Sequence, residues 1–211
     1  MVLQTANQYG SDAEREPTKM DATLAAIHRD HINAVKLLDL LEQRLANLDT
    51  LKTPDYIFMT DIMRYMTDYP DVFHHPKEDL ILDRLVELYP DAGPMQDDLK
   101  GDHLEISSLG GRLRKRLQDA SVTPTLPRQP IALMTRDYVA LMRYHIDKEE
   151  ALFLPLATRV LAHDDWLDIE STLPASHDPV FGTDADLEYR ALFVYLNEHQ
   201  PRPQPSGGAS N

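Results

Sequence analysis

The sequence predicts an all-α protein: an up-down-up-down four-helix bundle with extra short helices at its C-terminal end. Three observations lead there. Four long stretches repeat apolar residues at three- and four-residue spacing, the period of one helix face. β-branched runs with strict alternation are scarce, while Leu, Ala, Met, Glu, Asp and Arg dominate the periodic stretches. Short proline-containing connections separate those stretches, which makes neighbouring helices antiparallel.

The first stretch runs from about Asp21 to about Leu48, with a seam of Leu24, Ile27, His31, Ala34, Leu38, Leu41, Leu45 and Leu48. This heptad spacing packs helices at shallow angles, and one seam member is a histidine. The second, about Pro54 to Tyr89, carries His74, Glu78, Ile81, Leu85 and Leu88 in its latter half. Pro70 and Pro76 interrupt it, so a kink or local break is expected near the histidines. The third, about Met95 to Leu117, reads Leu99, His103, Ile106, Gly110, Leu113 and Leu117, again with a histidine in the seam. The fourth, about Pro130 to Leu161, reads Ile131, Met134, Tyr138, Leu141, His145, Glu149, Leu152 and Leu156. The expected division is a bundle over residues 21–162, a C-terminal helical extension over 163–199, and unstructured segments over 1–20 and 200–211. Within the extension, a short helical turn over Asp164 to Ile169 is anchored by Trp166. A last helix, about Asp184 to His199, is expected to dock through a stripe of Leu187, Ala191 and Val194.

Composition removes several classes of function. Lys and Arg number 21 against 35 Asp and Glu, a net charge of −14 that repels phosphate backbones and anionic lipid and attracts metal cations. Nucleic acid and membrane surfaces are therefore not expected partners. No cysteine occurs, which excludes disulfides, iron–sulfur clusters, thiolate zinc sites and cysteine nucleophiles. The first residues lack the basic and apolar regions of a signal peptide, and no apolar run reaches the ~20 residues that span a bilayer, so a cytoplasmic protein is expected.

An internal duplication places the chemistry. Asp30-His31 recurs as Asp102-His103, and His74-His75-Pro76-Lys77-Glu78-Asp79 recurs as His145-Ile146-Asp147-Lys148-Glu149-Glu150. Met63-Arg64-Tyr65 and Met142-Arg143-Tyr144 precede the latter pair. Two helix pairs related by a pseudo-twofold axis would turn the repeated residues toward each other. His-x-x-x-Glu on a helix sets both side chains on one face, one turn apart. Two such motifs with two seam histidines bring four imidazoles and two carboxylates inward: His31, His74, Glu78, His103, His145 and Glu149. A lone seam histidine usually only packs, but buried glutamates need a cation or hydrogen bonds to compensate them. Six ligands exceed the four of a structural zinc, and the histidines count against calcium and magnesium. The set suits two first-row metals bridged by carboxylates, iron in the first place, with manganese accepting the same ligands. His28, His163, His177 and His199 fall outside this set. His75 can serve as a supporting group or as a fifth imidazole.

With Asp30-His31, His74-x-x-x-Glu78, Asp102-His103, His145-x-x-x-Glu149-Glu150 and Leu152-Phe-Leu-Pro155, the chain resembles the hemerythrin-like family of HHE cation-binding domains over about residues 20 to 162. The resemblance implies a non-haem di-iron centre. It makes Glu78 and Glu149 the bridging carboxylates, with His31 and His145 on one iron and His74 and His103 on the other. Oxygen-carrying members have two histidines one turn apart on the third helix; here the position one turn after His103 is Ser107. The four-histidine, two-glutamate set is more similar to bacterial di-iron proteins of nitric-oxide stress and iron–sulfur cluster repair, which often carry a cysteine-containing N-terminal domain; this sequence contains no cysteine.

Two functions of different class follow. One is a protein that binds or senses O2, NO or peroxide; the other is a di-iron oxidoreductase acting on peroxide or NO, with Tyr138, Tyr65 or Tyr144 supplying protons or electrons. Iron handling is a third. A homodimer surface or an unidentified signalling protein are the macromolecular partners considered.

Overall fold

The computed structural model describes residues 19–48, 54–123, 125–173, 178–182 and 185–199, and among them every regular element is helical. Helix α1 spans Lys19–Leu48. Helix α2 (Tyr56–Tyr69) passes through one π turn (Pro70–His74) into α3 (His75–Leu88). A 3-10 turn at Pro90–Ala92 leads to α4 (Gly93–Val122). Helix α5 (Arg128–Lys148) passes through a second π turn (Glu149–Phe153) into α6 (Leu154–Val160). These form the four long rods, each packing against its sequence neighbours, with α5 closing back on α1.

Ion pairs between rods set the antiparallel register. Asp39 and Glu42 of α1 meet Arg143 of α5, whereas His28, earlier on α1, meets the later Glu150. Between the second and third rods, Asp83 pairs with Lys100 and Asp68 with Arg114. Helix α2 starts where the Asp55 carboxylate accepts the Phe58 N–H at 3.1 Å, which satisfies one unpaired amide of the first turn.

The prolines do not break the second rod. Both π turns end two residues before a proline, Pro76 and Pro155. There His75 N–H reaches Pro70 O and Leu154 N–H reaches Glu149 O, five residues back rather than four. A proline lacks the N–H for its own helical bond, and its ring collides with the carbonyl four residues earlier. Widening the preceding turn moves that carbonyl aside and lets the helix continue. The expected kink is thus a π turn, and it lies at the histidines.

The core is divided in two. One apolar cluster contains Leu37, Leu38, Leu41, Met59, Ile62, Met63, Leu113 and Leu117. The other contains Ile27, Ile81, Leu85, Leu99, Phe153 and Trp166. A belt of buried histidines and glutamates lies between them. Gly110 lets α2 and α4 approach: a Cβ there would stand 3.0 Å from Thr67 Cγ2 and 3.1 Å from Tyr138 Cε2.

Helix α7 (His163–Thr172) buries Trp166 completely and is fixed by Arg84, which donates to Asp165 at 2.8 and 2.6 Å. The last helix is shorter than expected: a 3-10 turn (Leu187–Tyr189) and α8 (Arg190–Glu198). Its expected stripe is corrected. Leu187, Ala191 and Val194 face solvent, and Tyr189 and Leu192 are buried instead, because the entering turn rotates the helix. The expectations for residues 1–18 and 200–211, and for His177, lie outside the described residues. No described helix is long and apolar enough to cross a membrane.

Candidate metal centre

The structure brings all six sequence-derived residues together. His31 comes from α1, His74 from the first π turn, Glu78 from α3, His103 from α4, His145 from α5 and Glu149 from the second π turn. All are buried, and Glu78 and Glu149 have no exposed surface. His31 Nε2 lies 3.3 Å from Glu78 and 3.1 Å from Glu149. His74 Nε2 is 3.3 Å from Glu78, and His145 Nε2 is 3.3 Å from Glu149. His103 Nε2 is 3.6 Å from Glu78 and 3.5 Å from Glu149. These separations allow charge attraction without hydrogen-bond alignment. Nε2 of His31, His103 and His145 and all four oxygens of the two glutamates are buried with no hydrogen-bond partner.

The potential donors form two overlapping groups, each with ligand atoms within 4.8 Å of one another. One is His31, His74, Glu78 and Glu149; the other is Glu78, His103, His145 and Glu149. Both glutamates belong to both groups. The histidines pair differently from the pattern implied by resemblance: His31 stands beside His74, with ring centroids 5.0 Å apart, and His103 beside His145 at 4.9 Å. Each half of the duplicated chain contributes one histidine pair.

Every one of the four rings is held from behind at Nδ1. Asp30 lies 3.2 Å from His74 and Asp102 3.3 Å from His145, equivalent contacts in the two repeats. Glu150 lies 2.6 Å from His31 and Asp79 3.1 Å from His103, the second equivalent pair. A carboxylate at Nδ1 takes that N–H and aims the Nε2 lone pair inward, as metal-ligating histidines require. The acidic neighbours in the motifs therefore orient the rings, a role their spacing alone did not reveal.

His75 is the residue that sequence reasoning left open. It is 5% exposed and stacks on His103 at 4.3 Å and 15°. With His103 and His145 it forms a third group able to hold a cation. Its Nδ1 faces Asp71 at 3.3 Å, and Asp71 in turn accepts the Ser107 hydroxyl at 2.7 Å. Ser107, noted only as a missing histidine, thus supports one supplied from another rod. The repeat puts Ile146 and Met142 where His75 and Asp71 stand, so the symmetry is broken here. The remaining histidines stay outside: His28 is exposed although it reaches Glu150 at 3.0 Å, and His163 and His199 are at the surface. Tyr138 is buried but donates to Met66 O, and Tyr144 is exposed.

The electrostatics are those of a pocket that holds protons in place of a cation. Burial opposes the imidazolium of His31, but Glu149 and Glu78 overcome it and hold the ring at about 11. His103, against the same opposition, is held at about 10 by Asp79 and the two glutamates. Burial pushes His74 down to about 3 and His145 down to about 4. Burial and the Glu149 charge push Glu78 up to about 8. Burial likewise opposes ionisation of Glu149, but His103, His31 and His145 hold it well below the usual carboxylate range. One carboxylate is proton-poor and the other proton-rich, the expected outcome for like charges sharing a dry site.

The family model for the hemerythrin HHE cation binding domain matches residues 22–157. No curated protein and no solved structure matches the chain.

Proposed function

We propose that this chain, which belongs to the hemerythrin HHE cation-binding family, holds two iron ions in the buried belt and binds or senses a small oxidant such as O2, NO or peroxide. The observation that carries the reading is the buried set of inward Nε2 atoms and carboxylate oxygens without hydrogen-bond partners, each ring fixed from behind by an acid. Such a set is costly in an apolar core unless cations complete it. His31 and His74 would hold one ion, His103 and His145 the other, and Glu78 and Glu149 would bridge them. The nitrogen-rich donors suit iron, and manganese accepts the same set. When bound, the iron pair supplies open coordination positions and one-electron redox steps. Around it, Asp30, Asp79, Asp102 and Glu150 keep the rings aimed, and the apolar clusters on both sides exclude water. In this reading residues 21–162 are the metal-binding domain of a cytoplasmic protein, and residues 163–199 are an extension that covers it.

A second reading, an oxidoreductase that turns over peroxide, is favoured by Tyr69, whose hydroxyl faces the Asp30 carboxylate behind His74. Elemental analysis with visible spectra of the oxidised, reduced, and O2- or NO-exposed protein tests both. About two irons per chain with a reversible change on adding the gas supports binding, whereas many turnovers with a reductant support the enzyme. Absence of stoichiometric metal after anaerobic iron loading would refute the di-iron reading.

A further inference from the structure

Three tyrosines run in ring contact from the edge of the metal pocket to the surface, and each hydroxyl faces a carboxylate. The Tyr69 hydroxyl lies 3.4 Å from Asp30 Oδ1, while Asp30 Oδ2 lies 3.2 Å from His74 Nδ1. The Tyr69 ring stacks on Tyr65, with centroids 5.4 Å apart at 17°. The Tyr65 hydroxyl donates to Asp178 Oδ2 at 3.0 Å, and Asp178 Oδ1 is fixed by the N–H groups of Val180 and Phe181. Tyr65 meets Tyr189 edge-on at 6.3 Å, and the Tyr189 hydroxyl donates to Asp68 at 3.3 Å. Tyr69 and Tyr189 border a surface cavity of about 390 Å³ shared with Asp68 and Asp186.

Packing accounts for stacked rings, but it does not require a carboxylate at every hydroxyl. Tyr138, equally buried, donates to a backbone carbonyl. A phenol gives up an electron readily only if its proton leaves at the same time, so a base at the hydroxyl is the feature that separates a redox-active tyrosine from a packing one. Here three successive rings each have one. Burial together with Asp178, Asp30 and Tyr69 holds Tyr65 well above the usual range, which keeps it a neutral phenol with a proton to give.

We infer that Tyr69, Tyr65 and Tyr189 form a one-electron relay, carrying oxidising equivalents from the metal pocket to the cavity beside Tyr189, where a small one-electron reductant removes them. The inference rests on the di-iron reading and takes hydrogen peroxide as the oxidant. Cleavage of its O–O bond consumes two electrons and two solvent protons and yields two waters. If the metal pair can give only one electron, Tyr69 gives the other, and its phenolic proton passes to Asp30. Tyr65 then reduces the Tyr69 radical, its own proton moving to Asp178 while Asp30 returns the first. Tyr189 repeats the step with Asp68, and an ascorbate- or thiol-type donor in the cavity restores it with one electron, Asp68 returning the proton while the donor's own proton passes to solvent. Without such a path, the unpaired oxidising equivalent would remain among the histidines.

The test uses the full chain, loaded with iron and poised in the half-oxidised ferrous–ferric state so that the pair can give only one electron, freed of excess metal, mixed with hydrogen peroxide and frozen for electron paramagnetic resonance. An organic radical that narrows when the protein carries ring-deuterated tyrosine is expected. Tyr69→Phe should lose it with iron content and circular dichroism unchanged. Tyr189→Phe should retain it but slow its decay with ascorbate. A wild-type protein that consumes peroxide without a tyrosine radical overturns the relay and leaves the di-iron reading standing. So does an unchanged signal in Tyr69→Phe, or the same radical in metal-free protein. A chain that takes up no iron overturns both.

Discussion

Loading the pocket with ferrous iron at pH 7 should expel about three protons per chain, the number fixed by which groups hold protons in the cation's place. His31 and His103, held at about 11 and 10, are both protonated at that pH. Glu78, pushed up to about 8, is protonated in roughly nine of ten molecules. His74 and His145, down at about 3 and 4, carry no proton to release. Glu149, held well below its usual range, is already ionised. A lone pair that ligates a metal cannot keep its proton, so three groups must discharge; a bridging water that ionises adds a fourth. Each proton released multiplies the affinity by ~10 per pH unit, so filling both positions should become ~1000-fold more favourable from pH 6 to pH 7. The dependence should flatten above about pH 8, where Glu78 ionises in the free protein. Anaerobic calorimetry in two buffers of different ionisation heat counts the protons directly. Release of one proton or none would mean that His31 and His103 do not stand in for the metal, and the reasoning fails.

Three further outcomes follow from the same geometry. Asp102→Asn removes the acid behind His145 and should weaken metal binding by about 10–100-fold with helicity unchanged, measured by chelator competition. The metal-free protein should be most heat-stable near about pH 6 in a calorimetric pH series. On the alkaline side, the contribution of His31 and His103 is full below about 6.5 and fades as the pH rises toward their folded values. On the acid side, neutral His74 and His145 favour unfolding below about 6.5, and the Glu149 contribution is lost below about 4.5. A melting temperature that does not change between pH 6 and pH 9 would contradict this balance. Gly110→Ala should destabilise the fold by about 1 kcal/mol in denaturant titration, since overpacking costs about 1–3 kcal/mol against about 1 kcal/mol of helix propensity gained. Thr67 cannot yield easily: its hydroxyl bonds Met63 O at 2.9 Å and receives Arg114 at 3.0 Å.

The helices were legible because their cause is local. A seam such as Leu24, Ile27, His31 and Ala34 states its own periodicity, and the structure places α1 over Lys19–Leu48. The six candidate ligands were legible for the same reason, since His74 and Glu78 must share a face wherever that helix packs. The π turns were read only as a kink, because a proline announces a lost hydrogen bond without saying how the chain absorbs it. The last helix was misread because Leu187 lies in a 3-10 turn whose tighter winding shifts the buried side to Tyr189 and Leu192.

The amino-acid order by itself determined the all-α class, the four rods, the duplication and the inward set of four histidines and two glutamates, all properties of spacing along one helix. Tertiary structure alone decided that His31 pairs with His74 and His103 with His145. It also decided that Asp30, Asp79, Asp102 and Glu150 stand behind the rings, that His75 joins His103, and that Tyr69 touches Asp30. Those contacts depend on the rotation and register of one rod against another. The packing of every side chain between the rods sets these together, and no spacing within a single rod encodes them.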